Sequence, residues 1–186
     1  MDDQQIPLDV IGVRVELPAE QPVLVLRGAA EGTQAQHVAI MVGAAEANAV
    51  AAALEGKTPP RPLTHDLLVE ALTSLGGGVE TIEIGLLDSQ TYFGTITLAG
   101  GHTLDARASD AIAVAVRVQC PVTMDADTLA AVAVTPRFRT VSADGEETTA
   151  ADPADRAPQS KGPISEAEIA EFQKFLGSAG PDDFRS

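Results

Sequence analysis

Along the first 135 residues the spacing of hydrophobic and polar positions changes period several times, and each change marks an element. Val13, Val15 and Leu17 alternate with Arg14 and Glu16, the two-residue period of a strand with one buried face. Val23 to Leu26 is a continuous apolar run behind Pro22, as expected of a strand buried on both faces. His37 to Val42 is a third strand candidate, closed by Gly43. Ala44 to Leu54 is rich in alanine and stopped by Gly56, which predicts a helix. The stiff connector Pro59-Pro60-Arg61-Pro62 leads to Thr64, a suitable helix cap, with Asp66 in the first turn, where the helix dipole favours an anion. Leu67, Leu68, Ala71, Leu72 and Leu75 share one face of that helix, and Gly76-Gly77-Gly78 ends it.

The same order then recurs. Strands are expected at Val79 to Leu87, Thr91 to Leu98 and His102 to Arg107. A helix follows from Ser109 to about Val118, then Pro121, then a short helix capped by Asp125 and running to about Val132. Two β-β-β-α-α units result, and their residues align. Glu46-Ala47-Asn48-Ala49-Val50-Ala51 matches Asp110-Ala111-Ile112-Ala113-Val114-Ala115, while Pro60, Thr64, Asp66 and Leu68 match Pro121, Asp125, Asp127 and Leu129. Six mostly antiparallel strands in two meanders, with helices packed on them, make an α+β domain over residues 1–135.

Periodicity is lost after Val134. Residues 136–163 are acidic and rich in Pro and Ala, the composition of a disordered linker. It returns in 164–186, where Ser165-Glu166-Ala167-Glu168 is a capping box, with Ile164 and Ile169 placed as its hydrophobic staple. Ile169, Phe172, Phe175 and Leu176 line one face of the helix this predicts. A short helix needs a surface to be stable in water, so these side chains are expected to dock on the chain itself, on a second subunit or in the groove of a protein partner.

Composition narrows the functional classes. The chain has 186 residues and a net charge of −15, and residues 1–135 alone hold 6 basic against 17 acidic side chains. Bulk charge therefore opposes non-specific nucleic-acid binding. One cysteine, Cys120, excludes an intramolecular disulfide and any Cys-rich metal site. No basic and apolar leader opens the chain and no apolar run approaches a membrane span, so a cytoplasmic protein with no membrane partner is expected. Phosphate-binding P-loops, Gly-x-Ser-x-Gly elbows and His-Glu-x-x-His motifs are absent from the sequence, and no organic cofactor is implied.

Three segments together carry a resemblance: Glu46 to Gly56, Pro59-Pro60-Arg61-Pro62-Leu63-Thr64-His65-Asp66-Leu67-Leu68, and Asp105-Ala106-Arg107-Ala108-Ser109-Asp110-Ala111-Ile112-Ala113. They resemble the bifunctional nuclease family of bacteria and plants over about residues 6–135. The tail ending in Pro181-Asp182-Asp183-Phe184 is similar to that of actinobacterial members. The resemblance implies hydrolysis of RNA and DNA phosphodiesters, and a duplicated unit built around one barrel-like sheet.

The duplication also sorts the polar residues. Arg61 aligns with Val122 and His65 with Ala126, so both are extra to the shared fold. His65 opens a helix whose free N–H groups attract an anion, and Arg61 is four residues away. The candidate catalytic set is His65, Asp66 and Arg61, with His65 as general acid or base. Arg61, Thr64, Arg107 and Ser109 are candidate phosphate ligands. Glu46, Asp66 and Asp110 are a candidate oxygen-ligand set for Mg²⁺ or Mn²⁺. Blander readings stand beside these: a part-buried His65 bonded to a carbonyl, a salt-bridged Arg61, and three separate helix-start acids. The competing function is a non-catalytic interaction or regulatory module that assembles as a homo-oligomer or captures a partner through residues 164–186.

Overall fold

A computed structural model describes residues 4–16, 19, 21–88 and 90–134, together with the backbone of 138–141 and 147–150. It divides into two compact units, Met1–Pro136 and Arg137–Ser186. In the first unit the order is β1 (Gln5–Glu16), β2 (Gln21–Gly28), β3 (His37–Met41), α1 (Ala44–Leu54), α2 (Thr64–Gly76), β4 (Val79–Leu86), β5 (Tyr92–Leu98), β6 (Thr103–Arg107), α3 (Ala108–Val118), β7 (Val122–Asp125) and α4 (Ala126–Val132). In the second, β8 (Phe138–Val141) and β9 (Glu147–Ala150) pair as an antiparallel hairpin. That hairpin falls within the stretch expected to be linker, whereas the helix expected in 164–186 lies outside the described residues.

Seven strands form one sheet in the order β3-β2-β1-β7-β4-β5-β6. Both expected meanders are present, and β7, which periodicity does not reveal, joins them. It runs antiparallel to the start of β1 and parallel to β4. β1 lies between two partners: Gln5–Pro7 pair with β7, and Leu8–Glu16 pair with β2, with a bulge between Val10 and Gly12. The sheet is not the closed barrel expected, since its edge strands β3 and β6 do not pair with each other.

Alternation decides which face the helices cover. Ile6 and Leu8 of β1, Ile82 and Ile84 of β4, Ile96 and Leu98 of β5, and Val122 and Met124 of β7 are all buried. On β2, Val23 to Leu26 are buried consecutively, as the unbroken apolar run predicts. α1 and α3 pack against each other and share this core through Ala47, Val50, Ala111, Ile112 and Val114. Alanine lets α3 lie close on β5. A Cβ on Gly94 would collide with that of Ala111, so glycine is the residue that permits this approach. Burying an Ile or Leu side chain here stabilises the fold by about 1.5–3 kcal/mol.

α2 departs from the expected pattern. Val69 and Leu72 pack against the core, but Leu67, Leu68 and Leu75 are exposed, Leu75 by 90%. The leucine face is thus only partly used inside this unit. α2 ends at Gly76, and its cap Gly77 is left-handed with φ 75.

Candidate active site at three helix starts

α1 and α3 are the corresponding helices of the two halves, each 11 residues long, and Glu46 and Asp110 are the third residue of each. Because these helices pack together, residues 64 positions apart in sequence come to one place. Arg107, the residue that caps α3, links them. Its Nη1 donates to Glu46 Oε1 at 3.0 Å. Its Nε donates to Asp110 Oδ2 at 2.7 Å and its Nη2 to Asp110 Oδ1 at 3.2 Å, a two-point grip on the carboxylate. α2 adds His65, whose Nε2 lies 3.1 Å from Asp110 Oδ1. The starts of α1, α2 and α3 therefore meet in a chain Glu46–Arg107–Asp110–His65.

Local sequence positions each member. Gly43 caps α1, and a Cβ there would overlap Glu46 Oε2, so the glycine gives this carboxylate its place. The start of α2 is fixed by Asp66. Its Oδ2 accepts the N–H of Leu63 at 2.8 Å, and its Oδ1 accepts Arg117 Nε at 2.6 Å. Arg117 reaches this contact from the last turn of α3, and its Nη1 also donates to the carbonyls of Ala113 and Ala49. α2 is thereby tied to both α1 and α3, and His65 follows from the neighbouring position.

Burial of Asp110 works against its ionisation, but the hydrogen bonds from Arg107 and His65 outweigh it and hold its carboxyl below the usual range. The Arg117 contact, then the Leu63 N–H, do the same for Asp66. Hydrogen bonding to Asp110 raises Arg107 further above its ordinary value.

The sequence-derived candidates divide accordingly. Glu46, His65, Arg107 and Asp110 come together. Asp66 does not join them, because Arg117 and Leu63 occupy both of its oxygens. Arg61 is exposed on the connector, and among the described residues no hydrogen bond or ion pair ties it to the cluster. Thr64 and Ser109 are not the caps. Leu63 and Arg107 hold those positions, which leaves Thr64 exposed and Ser109 buried within the first turn of α3. Asp125 does cap α4, accepting the N–H of Thr128 at 2.9 Å. A cleft of about 470 Å³ borders the cluster on its Arg107 side, lined among others by Met41, Glu46, Gln90, Tyr92, Arg107 and Ser109. Sequence reasoning missed the part played by Arg117 and, in this cleft, Met41, Gln90 and Tyr92. One signal was available: Tyr92 is the single tyrosine of a chain with no tryptophan.

The bifunctional nuclease domain profile matches residues 24–137, which includes all four clustered residues. Two proteins of Mycobacterium tuberculosis, one from strain CDC 1551 / Oshkosh and one from strain H37Rv, are each 34% identical over 177 residues. The match covers 95% of this chain and 96% of each relative, and both are described as uncharacterized. The chain belongs to the bifunctional nuclease domain family.

Of the three expected metal ligands, Glu46 and Asp110 meet at Arg107 and Asp66 stays apart. Asp66 turns to Arg117, both oxygens of Asp110 are engaged by Arg107 and His65, and Glu46 holds the other arm of Arg107. No group of three His, Cys, Asp or Glu side chains suited to a metal ion forms among the described residues. The guanidinium of Arg107 stands between the two carboxylates, where a shared cation would sit. This arrangement does not fit a resident Mg²⁺ or Mn²⁺. Cys120 is half-buried, and burial raises its thiol above the ordinary value, which suits packing better than nucleophilic chemistry. No helix among the described residues is long and apolar enough to cross a membrane.

Proposed function

We propose that the chain hydrolyses phosphodiester bonds of RNA and DNA at the Glu46–Arg107–Asp110–His65 centre. The observation that carries this reading is the 3.1 Å contact of His65 Nε2 with Asp110, which orients an imidazole from one half of the duplicated fold with a carboxylate from the other. An ionised Asp110 accepts the Nε2 proton, which leaves Nδ1 as the nitrogen that takes or gives a proton. The imidazolium formed when Nδ1 removes a proton from the attacking hydroxyl or water is stabilised by Asp110, and it can then protonate the leaving oxygen. Arg107 has five N–H donors and uses three on Glu46 and Asp110. The two that remain are available to the phosphate oxygens. Arg61 supplies a second cation from the connector, and the Thr64 hydroxyl a further phosphate contact. Asp66 acts as a positioning residue that holds the start of α2.

Purified protein and its His65→Ala variant, assayed on single-stranded RNA and DNA, test the reading. General acid–base catalysis is worth about 10²- to 10⁴-fold, so the variant should lose that much in kcat while its circular dichroism is unchanged. Equal rates for the two proteins would remove His65 from the chemistry.

A second reading, an interaction module assembled as a homo-oligomer, draws support from the exposed leucines of α2 and the net charge of −15. It predicts that Leu67→Glu with Leu75→Glu lowers the mass seen in sedimentation equilibrium and leaves hydrolysis in place. A protein partner for residues 164–186 belongs to the same reading, and deletion of those residues tests it by loss of capture.

A further inference from the structure

The cleft beside Arg107 is separate from the His65 side of the cluster, and the acid–base chemistry proposed above does not use it. Its composition is specific. Met41, 60% exposed at the end of β3, contributes an apolar thioether. Tyr92, at the start of β5, packs against the buried core and also lines the cleft, so the ring is held by its surroundings. Gln90 sits on the turn before it. That turn is fixed by Asp88, whose Oδ1 accepts the N–H groups of both Gln90 and Thr91 at 2.9 Å. Among the described residues no hydrogen bond occupies the side-chain amide of Gln90. Arg107 borders both the cleft and Asp110, so a phosphate on its two remaining donors would have the cleft directly alongside.

An anchored aromatic ring, a soft apolar side chain and a free amide, next to a guanidinium, match the chemistry of one nucleotide. The base face stacks on the ring, the amide reads its hydrogen-bonding edge, and the phosphate meets the arginine. We infer that this cleft receives a single unpaired nucleobase adjoining the phosphate held by Arg107, with Tyr92 as its stacking platform and Gln90 reading its edge. The inference rests on the nucleolytic reading of the same site. It also narrows the substrate: stacking requires an exposed base face, so single strands and loops enter the site and an intact duplex does not. With one ring available, one base is gripped and the rest of the strand is not.

Because Tyr92 is the sole tyrosine and tryptophan is absent, intrinsic tyrosine emission reports on this position alone. Titration of the full chain with adenosine monophosphate, corrected for absorbance, should quench that emission to saturation. Ribose 5-phosphate and inorganic phosphate, which lack a base, should not. In steady-state cleavage of a single-stranded oligonucleotide, Tyr92→Ala should raise KM about tenfold, the scale of one lost stacking contact. Tyr92→Phe should keep the wild-type KM, and kcat should change little in either variant. A duplex of the same sequence should be cleaved at least tenfold less well than the single strand. Equal quenching by ribose 5-phosphate, or an unchanged KM in Tyr92→Ala, overturns the inference while leaving hydrolysis at His65 standing. Quenching by the nucleotide in a protein that cleaves neither RNA nor DNA keeps the base site and removes the nucleolytic reading.

Discussion

Arg117 offers a quantitative test of how the site is held together. Its side chain is 11% exposed, and it joins the end of α3 to Asp66 at the start of α2 and to the Ala49 carbonyl of α1. Arg117→Met keeps much of the apolar stem and deletes the guanidinium. A hydrogen bond to a charged group contributes about 1.5–3 kcal/mol. Removing one partner of a fully buried pair costs about 3–5 kcal/mol, because the other charge is left stranded. Asp66 is 29% exposed and keeps the Leu63 N–H, so water can replace part of what Arg117 supplied. The expected loss is therefore about 2–3 kcal/mol in urea denaturation with an unchanged m value, and a fall in Tm of about 4–12 °C for a chain of this size. Asp66→Asn should cost less, and the double variant should show a coupling of at least about 1 kcal/mol. A loss under about 0.5 kcal/mol for Arg117→Met, or simple additivity in the double variant, would refute the idea that this pair pins α2.

Three further outcomes follow from the same geometry. The Arg117 and Leu63 contacts hold Asp66 below the ordinary aspartate value of 3.8, so the stability it adds is complete above that value and is lost as pH falls through the folded-state value. The stability gap between wild type and Asp66→Asn should thus stay constant from neutral pH down to about 5 and close below 3.8; a gap that widens in acid would reverse the sign of the argument. Substrate affinity should depend weakly on salt, with a slope of log K against log salt of about −1 to −2, if Arg107 and Arg61 are the two phosphate-binding cations, as proposed; a slope near −5 would reveal a basic groove elsewhere. Treatment with EDTA should leave kcat/KM within about twofold, since Arg107 occupies the place between Glu46 and Asp110; complete inhibition would mean that these carboxylates release Arg107 to hold a cation.

Local pattern made the meanders and the helices legible, and the internal duplication made the convergence of Glu46 with Asp110 legible as well. What escaped depends on contacts between distant residues or on very short segments. β7 offers only Val122 and Met124 as alternating buried positions, too few to establish a two-residue period between two helices. The caps lie earlier than expected, at Leu63 rather than Thr64 and at Arg107 rather than Ser109, because side-chain preference favours Thr and Ser at a cap. At α2 the first-turn carboxylate of Asp66 accepts the free N–H instead. The fate of Asp66 was set by Arg117, 51 residues away, and no local reading of an acidic first turn could supply that partner. Closure into a barrel was inferred from kinship, yet nothing in the pattern of β3 or β6 pairs the two edges. The threonine-containing strands β8 and β9 are only four residues each and lie in a stretch whose Pro and Ala content resembles a linker.

The central claim is that His65 and Asp110, brought from opposite halves of the fold, act as one catalytic unit. Initial rates of cleavage by wild type, His65→Ala, Asp110→Asn and the double variant, on one single-stranded RNA and one single-stranded DNA, test it most directly. Residues that work as a unit lose activity non-additively, so the double variant should be no slower than about threefold below His65→Ala alone. Losses that multiply, or an Asp110→Asn variant as active as wild type, would contradict it.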